Sequence, residues 1–324
     1  MVASLNARSD MDKTNRVVDT VVIGGGLGGY AAAIYAARAS LKTVVIEQGM
    51  PGGQIATTDI VENYPAIPTI TGAELGMKLQ EHATEAGAES VYGVVEAIER
   101  LDDGSFNVVC ADETYQAPAV IVATGARPRT AGFTGEDQFR GRGISYCATC
   151  DGMFYRGKNV FVIGGGNAAC EEGLYLARIA NSVTMVVRRN EFRAPKGVVD
   201  RLLAHERVTV RYSTSITAVD GDRFLSSITF KNNDTGEEHT EAYEEGSFGI
   251  FVFAGTDPVV ELVRPFVDLG SDGGVMTNES METRTPGLYC VGDMRSKRLR
   301  QAITAAADGA IAGSEAYRYV TERG

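Results

Sequence analysis

The sequence predicts an α/β fold made of two Rossmann-like dinucleotide-binding domains, the second inserted into the first. Two observations lead to this prediction. A strand, a glycine-rich turn and a helix follow one another near residue 24, and the same order returns 140 residues later, near residue 164. The chain has 324 residues, about twice the usual size of one domain. We therefore expect each glycine-rich turn to lie in a domain of its own.

The first motif begins with the apolar, β-branched run 17–23, which predicts a strand, and an alanine-rich helix follows the turn. Between them, Gly24, Gly26 and Gly29 match the pattern G-x-G-x-x-G. The first glycine makes the turn, the second lets the backbone approach a pyrophosphate, and the third allows close packing of helix on strand. The helix N-terminus then faces the anion. A generic strand–turn–helix unit is the alternative interpretation.

The residue that ends the next strand indicates which dinucleotide this motif binds. The apolar run 43–46 ends at Glu47, 23 residues after Gly24. An acid at about this distance can accept hydrogen bonds from ribose hydroxyls. Because the acid has no arginine cluster beside it, we expect the first site to bind FAD.

The second motif has the same order, with strand 160–163, helix 170–178 and strand 182–187. Its third glycine position is occupied by alanine. The candidate binding residues of this turn are Gly164, Gly166, Asn167, Ala168 and Ala169.

The strand after this second turn ends in basic residues rather than in an acid. Arg188 and Arg189 follow it directly, and Arg193 lies four residues further on. A 2′-phosphate on the adenosine ribose would repel an acid and attract guanidinium groups, so we expect the second site to prefer NADPH. A solvated basic turn is the alternative. A flavin and a nicotinamide cofactor in one chain imply hydride transfer.

Two proline-containing connectors, at 126–130 and 256–258, follow apolar runs and resemble crossings between domains. The segment between them has the size of a compact inserted domain. The expected division is a flexible tail at 1–16, a first part of the FAD domain at 17–126, an NADPH domain at 127–255, and a second part of the FAD domain at 256–324.

Cys147 and Cys150 form a C-x-x-C pair, and Asp151 follows directly. Such a pair can be half of a zinc site, a redox dithiol or a coincidence. Structural zinc needs four ligands, and the other cysteines and the three histidines do not have ligand spacing, so no metal is expected. A redox-active disulfide fits better, with Asp151 close enough to give a proton to a released thiolate.

Composition excludes several classes of function. The net charge of −11 disfavours a nucleic-acid partner, and no apolar stretch approaches the ~20 residues of a membrane span. The N-terminal segment lacks the apolar core of a secretory signal, and five cysteines do not make a disulfide scaffold. We therefore expect a cytoplasmic protein.

Together, these motifs resemble the low-molecular-weight thioredoxin reductases over nearly the whole chain after residue 16. The resemblance is carried by the run 145–152 (SYCATCDG), both glycine motifs, the three arginines and the run 300–302 (RQA). It implies a homodimer of two-domain subunits that uses NADPH to reduce the disulfide of thioredoxin through FAD and a C-x-x-C pair. The expected activity is therefore that of a thioredoxin-disulfide reductase.

The resemblance also assigns residues to roles. Cys150 matches the cysteine nearer the flavin, Cys147 its partner and Asp151 the acid. The expected FAD contacts are Gly24, Gly26, Gly29, Glu47, Gly53, Gln54, Asn63, Thr124, Gly125, Asp293, Arg300, Gln301 and Ala302.

Two departures from the family pattern concern the nucleotide site and the protein partner. Val187 stands where the family often has histidine before the arginine pair. Met153-Phe154 stands where the family has paired aromatics that receive thioredoxin. Another disulfide partner, a thiol oxidase or a redox sensor on the same scaffold are the alternatives. Because nicotinamide and disulfide must both reach the flavin from one domain, we expect that domain to rotate about the crossings near 126–130 and 246–256.

Overall fold

The structure is a computed structural model that describes residues 14–58 and 61–322, with the backbone alone for Thr149 and Cys150. The chain divides into two compact units. Unit 2 is Pro128–Thr256, and unit 1 is the described chain up to Arg127 and from Asp257 onward. Each boundary falls one residue later than the boundary expected from the sequence.

Nineteen strands lie within the described ranges. In chain order they are β1 (Thr14–Val17), β2 (Thr20–Ile23), β3 (Thr43–Glu47), β4 (Glu89–Tyr92), β5 (Val95–Arg100), β6 (Phe106–Cys110), β7 (Glu113–Ala117), β8 (Ala119–Val122), β9 (Ala126–Pro128), β10 (Ile144–Ser145), β11 (Asn159–Ile163), β12 (Ser182–Val186), β13 (Val208–Arg211), β14 (Thr214–Gly221), β15 (Leu225–Asn232), β16 (Glu238–Ala242), β17 (Phe248–Val252), β18 (Thr256–Pro258) and β19 (Leu288–Cys290).

Six α-helices lie within the same ranges. They are α1 (Leu27–Arg38), α2 (Gly72–Glu85), α3 (Ala148–Asp151), α4 (Asn167–Ile179), α5 (Lys196–Leu203) and α6 (Ala302–Thr321). None of these helices is long and apolar enough to cross a membrane.

Unit 1 is built on a parallel five-stranded sheet in the order β19-β8-β2-β3-β4. Its central strand, β2, is buried on both faces. Val21 and Ile23 pack against a second sheet, of order β1-β7-β6-β5, while Val22 packs on the side of helix α1 with Ala32. Burial on both faces explains why β2 is continuously apolar instead of alternating.

The single strand expected at 17–23 is wrong in its bounds. The structure has β1 and β2 there, which belong to different sheets, because the chain passes from one sheet to the other at Val18-Asp19. Residues 14–16, expected as part of a tail, pair with β7, and Arg16 forms an ion pair with Glu89. The rest of the expected tail, residues 1–13, lies outside the described residues.

Unit 2 repeats the plan with a parallel sheet of order β10-β17-β11-β12-β13. Val160 and Val162 of β11 face helix α4, whereas Phe161 faces Phe230 of the antiparallel sheet β14-β15-β16. Both glycine turns therefore follow the central strand of a five-stranded parallel sheet, where such sheets bind dinucleotides.

The two connectors between the units are strands β9 and β18, which pair with each other. The N–H of Arg129 also donates to the carbonyl of Gly255 at 2.8 Å. The chain therefore enters and leaves unit 2 through adjacent segments. The last helix, α6, extends from Ala302 to Thr321.

Candidate functional site

The first glycine turn is sterically closed except at one position. Gly24 has a φ of +99°, and a Cβ on it would lie 2.6 Å from the carbonyl oxygen of Ala123. A Cβ on Gly29 would lie 1.8 Å from the carbonyl oxygen of Gly24. At Gly26 the nearest atom would be 3.7 Å away. The turn thus packs tightly on the sheet and leaves its middle glycine open, as a backbone that approaches a pyrophosphate requires.

Helix α1 begins at this open position. Its N-cap, Gly26, makes no side-chain capping bond, and the first turn contains no acidic residue. The first N–H groups of a helix have no partner within it, so this end can bind an anion. Glu47 closes the site from β3: its carboxylate accepts hydrogen bonds from the N–H of Gly25 at 2.5 Å and of Gly49 at 2.6 Å.

Several of the other expected FAD residues lie beside each other in unit 1. The N–H of Gly52 donates to the carbonyl of Gly25 at 2.8 Å, and this bond places Gly53 and Gln54 next to the first glycine turn. The side-chain amide of Asn63 donates to Oε1 of Gln301 at 2.9 Å, immediately before α6 begins at Ala302.

Asp293 presents an unpaired acceptor in unit 1. Its Oδ1 is buried and has no hydrogen-bond partner within the described residues. Burial raises the pKa of Asp293, against the opposing effect of Lys297 and Arg300. A buried polar atom without a partner is costly, and a ribitol hydroxyl would satisfy this one. The residues of unit 1 therefore fit a dinucleotide that carries a flavin.

Three further expected FAD residues, Arg300, Thr124 and Gly125, make hydrogen bonds to main-chain groups of unit 1. Arg300 donates from Nε to the carbonyl of Asp293 at 3.1 Å and forms an ion pair with Asp272 at 2.8 Å. The Thr124 hydroxyl donates to the carbonyl of Val259 at 2.7 Å. Gly125, which follows, has a φ of +68° and accepts from the Val259 N–H.

Sequence reasoning missed Asp308, which supports the Asp293 segment from helix α6. Its carboxylate accepts from the Gly292 N–H at 3.0 Å, from Arg295 at 2.7 Å and from Lys297 at 2.8 Å. Asp308 is 8% exposed. The available signal was an acid that is the only charged residue in the alanine-rich run 302–312, since an acidic side chain is seldom buried without partners.

The second glycine turn follows the same geometry with one difference. Gly164 has a φ of +144°, and a Cβ there would lie 2.6 Å from the carbonyl oxygen of Phe253, while nothing lies within 4 Å of a Cβ on Gly166. Helix α4 begins at Asn167, also without a side-chain cap or an acid in its first turn. Ala168 and Ala169 complete that turn, so the third position here has room for a methyl group.

A pocket of unit 2 joins this turn to the arginines. Its lining includes Gly164 and all three predicted arginines: Arg188, Arg189 and Arg193. These side chains are exposed, and within the described residues none of their guanidinium groups makes a hydrogen bond or ion pair. Residues 187–193, which carry these arginines, are called the arginine loop. The N–H of Arg193 donates to the carbonyl of Gly165 at 2.7 Å, and this bond holds the arginine loop against the glycine turn. The pocket therefore offers three unneutralised cations beside a helix N-terminus.

Cys147 is disulfide-bonded and lies at the start of α3. Ser145, which is 4% exposed, accepts a hydrogen bond from the Cys147 N–H at 3.1 Å and donates one to Asp151 Oδ2 at 2.6 Å. The structure thus links the acid to the cysteine through a buried hydroxyl. The side chain of Cys150 lies outside the described part of the chain.

Tyr146 ties this segment to the connector that enters unit 2. Its hydroxyl donates to Glu136 at 2.5 Å, and Glu136 also accepts from the N–H groups of Ala131 and Gly132. Burial, together with the hydrogen bond to Glu136, raises the pKa of Tyr146 to about 12. Tyr146 therefore stays a neutral donor, and the carboxylate of Glu136 fixes both segments.

The other three cysteines, Cys110, Cys170 and Cys290, are buried. Burial raises the pKa of Cys170 to about 11 and that of Cys290 further, which keeps both as inert thiols. Over residues 14–58 and 61–322 there is no cluster of three histidine, cysteine or acidic side chains that could hold a metal ion.

The surface next to α3 is apolar and open. Met153 is 50% exposed and Phe154 is 74% exposed. Two large apolar side chains this accessible, a few residues from a disulfide, suit a contact with another protein.

Comparison with known proteins adds an independent observation. A family model described as pyridine nucleotide-disulphide oxidoreductase matches residues 18–309. The thioredoxin reductase of Peptoclostridium litorale is 43% identical over 94% of this chain and 98% of that protein. The thioredoxin reductase of Bacillus subtilis (strain 168) is 41% identical over 95% of this chain and 96% of that protein.

Solved structures agree in fold. The structure of Lactococcus lactis thioredoxin reductase superposes with a TM-score of 0.90 at 40% identity, covering 94% of this chain and 99% of that one. Thioredoxin reductase from T. acidophilum gives a TM-score of 0.87 at 29% identity, over 94% and 98% of the two chains.

Proposed function

Because the chain belongs to the pyridine nucleotide-disulphide oxidoreductase family, we propose that it is a thioredoxin-disulfide reductase with FAD as its flavin and NADPH as its electron donor. The observation that carries the proposal is the disulfide-bonded Cys147, hydrogen-bonded through Ser145 to an acid, in the same unit as the arginine-lined pocket. Besides a flavin site, such an enzyme needs a redox-active disulfide and a cationic pocket for the nucleotide that donates electrons.

The FAD contacts would come from unit 1. Gly26 and the uncapped start of α1 would hold the pyrophosphate, and Glu47 the adenosine ribose. Asp293 would accept a hydrogen bond from a ribitol hydroxyl through its buried Oδ1. When bound, FAD supplies the two-electron carrier between a hydride donor and a disulfide.

The preference for NADPH over NADH would come from unit 2. The unpaired guanidinium groups of Arg188, Arg189 and Arg193 provide charge for a 2′-phosphate, which NADH lacks. Val187, in place of the histidine frequent in the family, removes none of the three charges.

In the overall reaction, NADPH and one proton reduce the disulfide of thioredoxin to two thiols, and NADP⁺ leaves. The Cys147–Cys150 pair would be the dithiol that attacks the partner disulfide by exchange, with Cys150 nearer the flavin. Asp151 would give a proton to the thiolate released when the pair opens, and Ser145 would hold it in place.

The proposed partner is thioredoxin or a protein like it. Met153 and Phe154 offer it an exposed apolar contact beside the reactive segment. A cytoplasmic homodimer is part of the same proposal and rests on the family resemblance.

Anaerobic stopped-flow absorbance of the yellow protein tests the proposal. NADPH is expected to bleach the flavin rapidly and NADH slowly, and oxidised thioredoxin is expected to restore the colour. No bleaching by NADPH would refute the proposal. Reoxidation by oxygen but not by thioredoxin would indicate a thiol oxidase, and a protein that stays bleached with every disulfide substrate would indicate a redox sensor.

Substitution of Cys150→Ser separates the two halves of the reaction. We expect this variant to be bleached by NADPH at the wild-type rate and to reduce no thioredoxin. Retained thioredoxin reduction would contradict the role given to Cys150.

A further inference from the structure

The arginine loop of unit 2 is held in place through its main chain and not through its arginine side chains. Arg188 and Arg189 are exposed, and no side-chain bond within the described chain fixes their guanidinium groups. The positions from which these two side chains extend are therefore set by the hydrogen bonds that hold the main chain at 187–189. The hydrogen bonds to the carbonyl groups of residues 187, 188 and 189 thus decide where the two guanidinium groups can lie.

Two of the three carbonyls are held by main-chain donors. The Val187 carbonyl accepts from the Thr214 N–H at 3.1 Å, and the Arg189 carbonyl accepts from the Ser213 N–H at 2.9 Å. Ser213 reaches this position with a φ of +47°, in the left-handed region that non-glycine residues seldom adopt. The loop therefore lies against a turn whose own geometry is constrained.

The third carbonyl, that of Arg188, is held by a side chain. Nδ2 of Asn233 donates to it at 2.9 Å and also donates to the Ser215 hydroxyl at 3.0 Å. An amide nitrogen has two hydrogens, so both bonds form at once and fix the plane of the amide. Asn233 is itself anchored, because its N–H donates to the carbonyl of Ser213 at 2.7 Å.

Asn233 lies in the turn between β15 and β16, far from the glycine turn in sequence. Through it, the antiparallel sheet of unit 2 contacts the end of a strand in the parallel sheet. We propose that Asn233 is a positioning residue for nucleotide specificity: it holds the Arg188 carbonyl so that the arginine pair faces the 2′-phosphate. This inference rests on the proposed use of NADPH.

The physical basis is preorganisation. A loop already held in the bound conformation loses less conformational freedom when the ligand arrives, so affinity rises without a new contact. This gain in affinity applies only to the 2′-phosphate, the part of the ligand that the loop would contact. Losing the Asn233 amide should therefore weaken binding of the 2′-phosphate and leave the rest of the nucleotide unaffected.

Two small nucleotides allow binding of the 2′-phosphate to be measured separately from binding of the rest of the nucleotide. Adenosine 2′,5′-bisphosphate and 5′-AMP differ only in the 2′-phosphate. Isothermal titration calorimetry of the flavin-loaded protein with each gives their dissociation constants without turnover. For Asn233→Ala we expect about fivefold weaker binding of the bisphosphate, the size of one lost hydrogen bond, and no change for 5′-AMP.

The neighbouring residue provides a matched control. Asn232 is the last residue of β15, directly before Asn233, and its Oδ1 accepts from the N–H groups of Asp234 and Thr235 instead of contacting the arginine loop. We expect Asn232→Ala to bind both nucleotides as the wild type does. If Asn233→Ala does not fold, Asn233→Ser removes the amide and keeps a residue that turns favour.

The results that overturn the inference are distinct. Equal weakening of both nucleotides by the Asn233 variants would mean that Asn233 supports the unit in general, and unchanged binding of both would mean that it positions nothing. A wild-type protein that binds the two nucleotides equally would refute the proposed use of NADPH, and this inference with it.

Discussion

The Ser145 hydroxyl donates a hydrogen bond of 2.6 Å to Oδ2 of Asp151 while it accepts one from the Cys147 N–H. A hydrogen bond of this length between a hydroxyl and a carboxyl group holds the two groups in one relative orientation. Because Ser145 is buried, water does not replace it easily. The orientation of the acid relative to the disulfide-bonded Cys147 therefore depends on one hydroxyl group.

Substitution of Ser145→Ala tests this dependence. We expect opening of the Cys147 disulfide to slow about tenfold, which is less than the roughly 10²–10⁴-fold typical of a general acid because Asp151 is displaced and not removed. Bleaching of the flavin by NADPH should keep its rate. Stopped-flow absorbance separates the two steps.

The conservative variant Ser145→Thr keeps the hydroxyl and should restore most of the rate. Equal slowing of both steps in Ser145→Ala, or no recovery in Ser145→Thr, would show that Ser145 acts through general stability rather than through Asp151.

A methyl group at the first glycine turn should abolish flavin binding. In Gly29→Ala the new Cβ would lie 1.8 Å from the carbonyl oxygen of Gly24, so the backbone of the turn must move. We expect purified Gly29→Ala to have a flavin-to-protein absorbance ratio near zero.

The reverse change in the second turn, Ala169→Gly, serves as the comparison. It should lower the free energy of unfolding by about 1 kcal/mol, the usual helix cost of glycine, and leave the flavin ratio unchanged. A Gly29→Ala protein with full flavin content would contradict the geometry of the first turn.

Removal of the Asp308 carboxylate should strongly destabilise unit 1. Asp308→Ala leaves Arg295 and Lys297 as partly buried cations without their partner and the Gly292 N–H without an acceptor. Breaking a buried ion pair from one side costs about 3–5 kcal/mol. Urea unfolding measures this loss, and flavin content should fall with it.

Glu315→Ala, on the same helix, removes only an ion pair with the exposed Arg318 and should cost less than about 1 kcal/mol. Equal unfolding curves for Asp308→Ala and Glu315→Ala would show that the Asp308 contacts do not stabilise the protein.

The ion pair between Glu241 and Arg211 predicts a dependence of stability on pH. The hydrogen bond from Arg211 lowers the pKa of Glu241 from 4.5 to about 2. The carboxylate therefore stabilises unit 2 fully above about pH 4.5, and this contribution is lost as the pH falls toward 2. Because both side chains are about one third exposed, we expect about 1 kcal/mol after solvent screening.

Glu241→Gln should lower the free energy of unfolding by about that amount at pH 7 and flatten its decline between pH 4.5 and 2. Glu238→Gln, on the same strand, should follow the wild-type curve. A Glu241→Gln variant with the wild-type pH dependence would refute the contribution of the pair.

The sequence allowed prediction of those parts of the molecule that depend on local patterns. The glycines at 24 and 164 and the acid or arginines two elements later indicate a ligand because their spacing is set by a single strand–helix–strand unit. Asp308 and Asn233 could not be found in this way, since each acts on a segment distant in the chain. The division of 17–23 into two strands was missed because Val17, the last residue of β1, reads as the start of the apolar run of β2, and only Val18-Asp19 separates the two strands.

The pairing of β9 with β18 has an evolutionary consequence. The two ends of unit 2 lie side by side, because β9 and β18 pair with each other. A domain of another size could therefore be inserted at this point without a change in the strand order of the five-stranded sheet of unit 1. Descendants of such a chain could exchange unit 2 as a whole and keep the sheets of unit 1 intact.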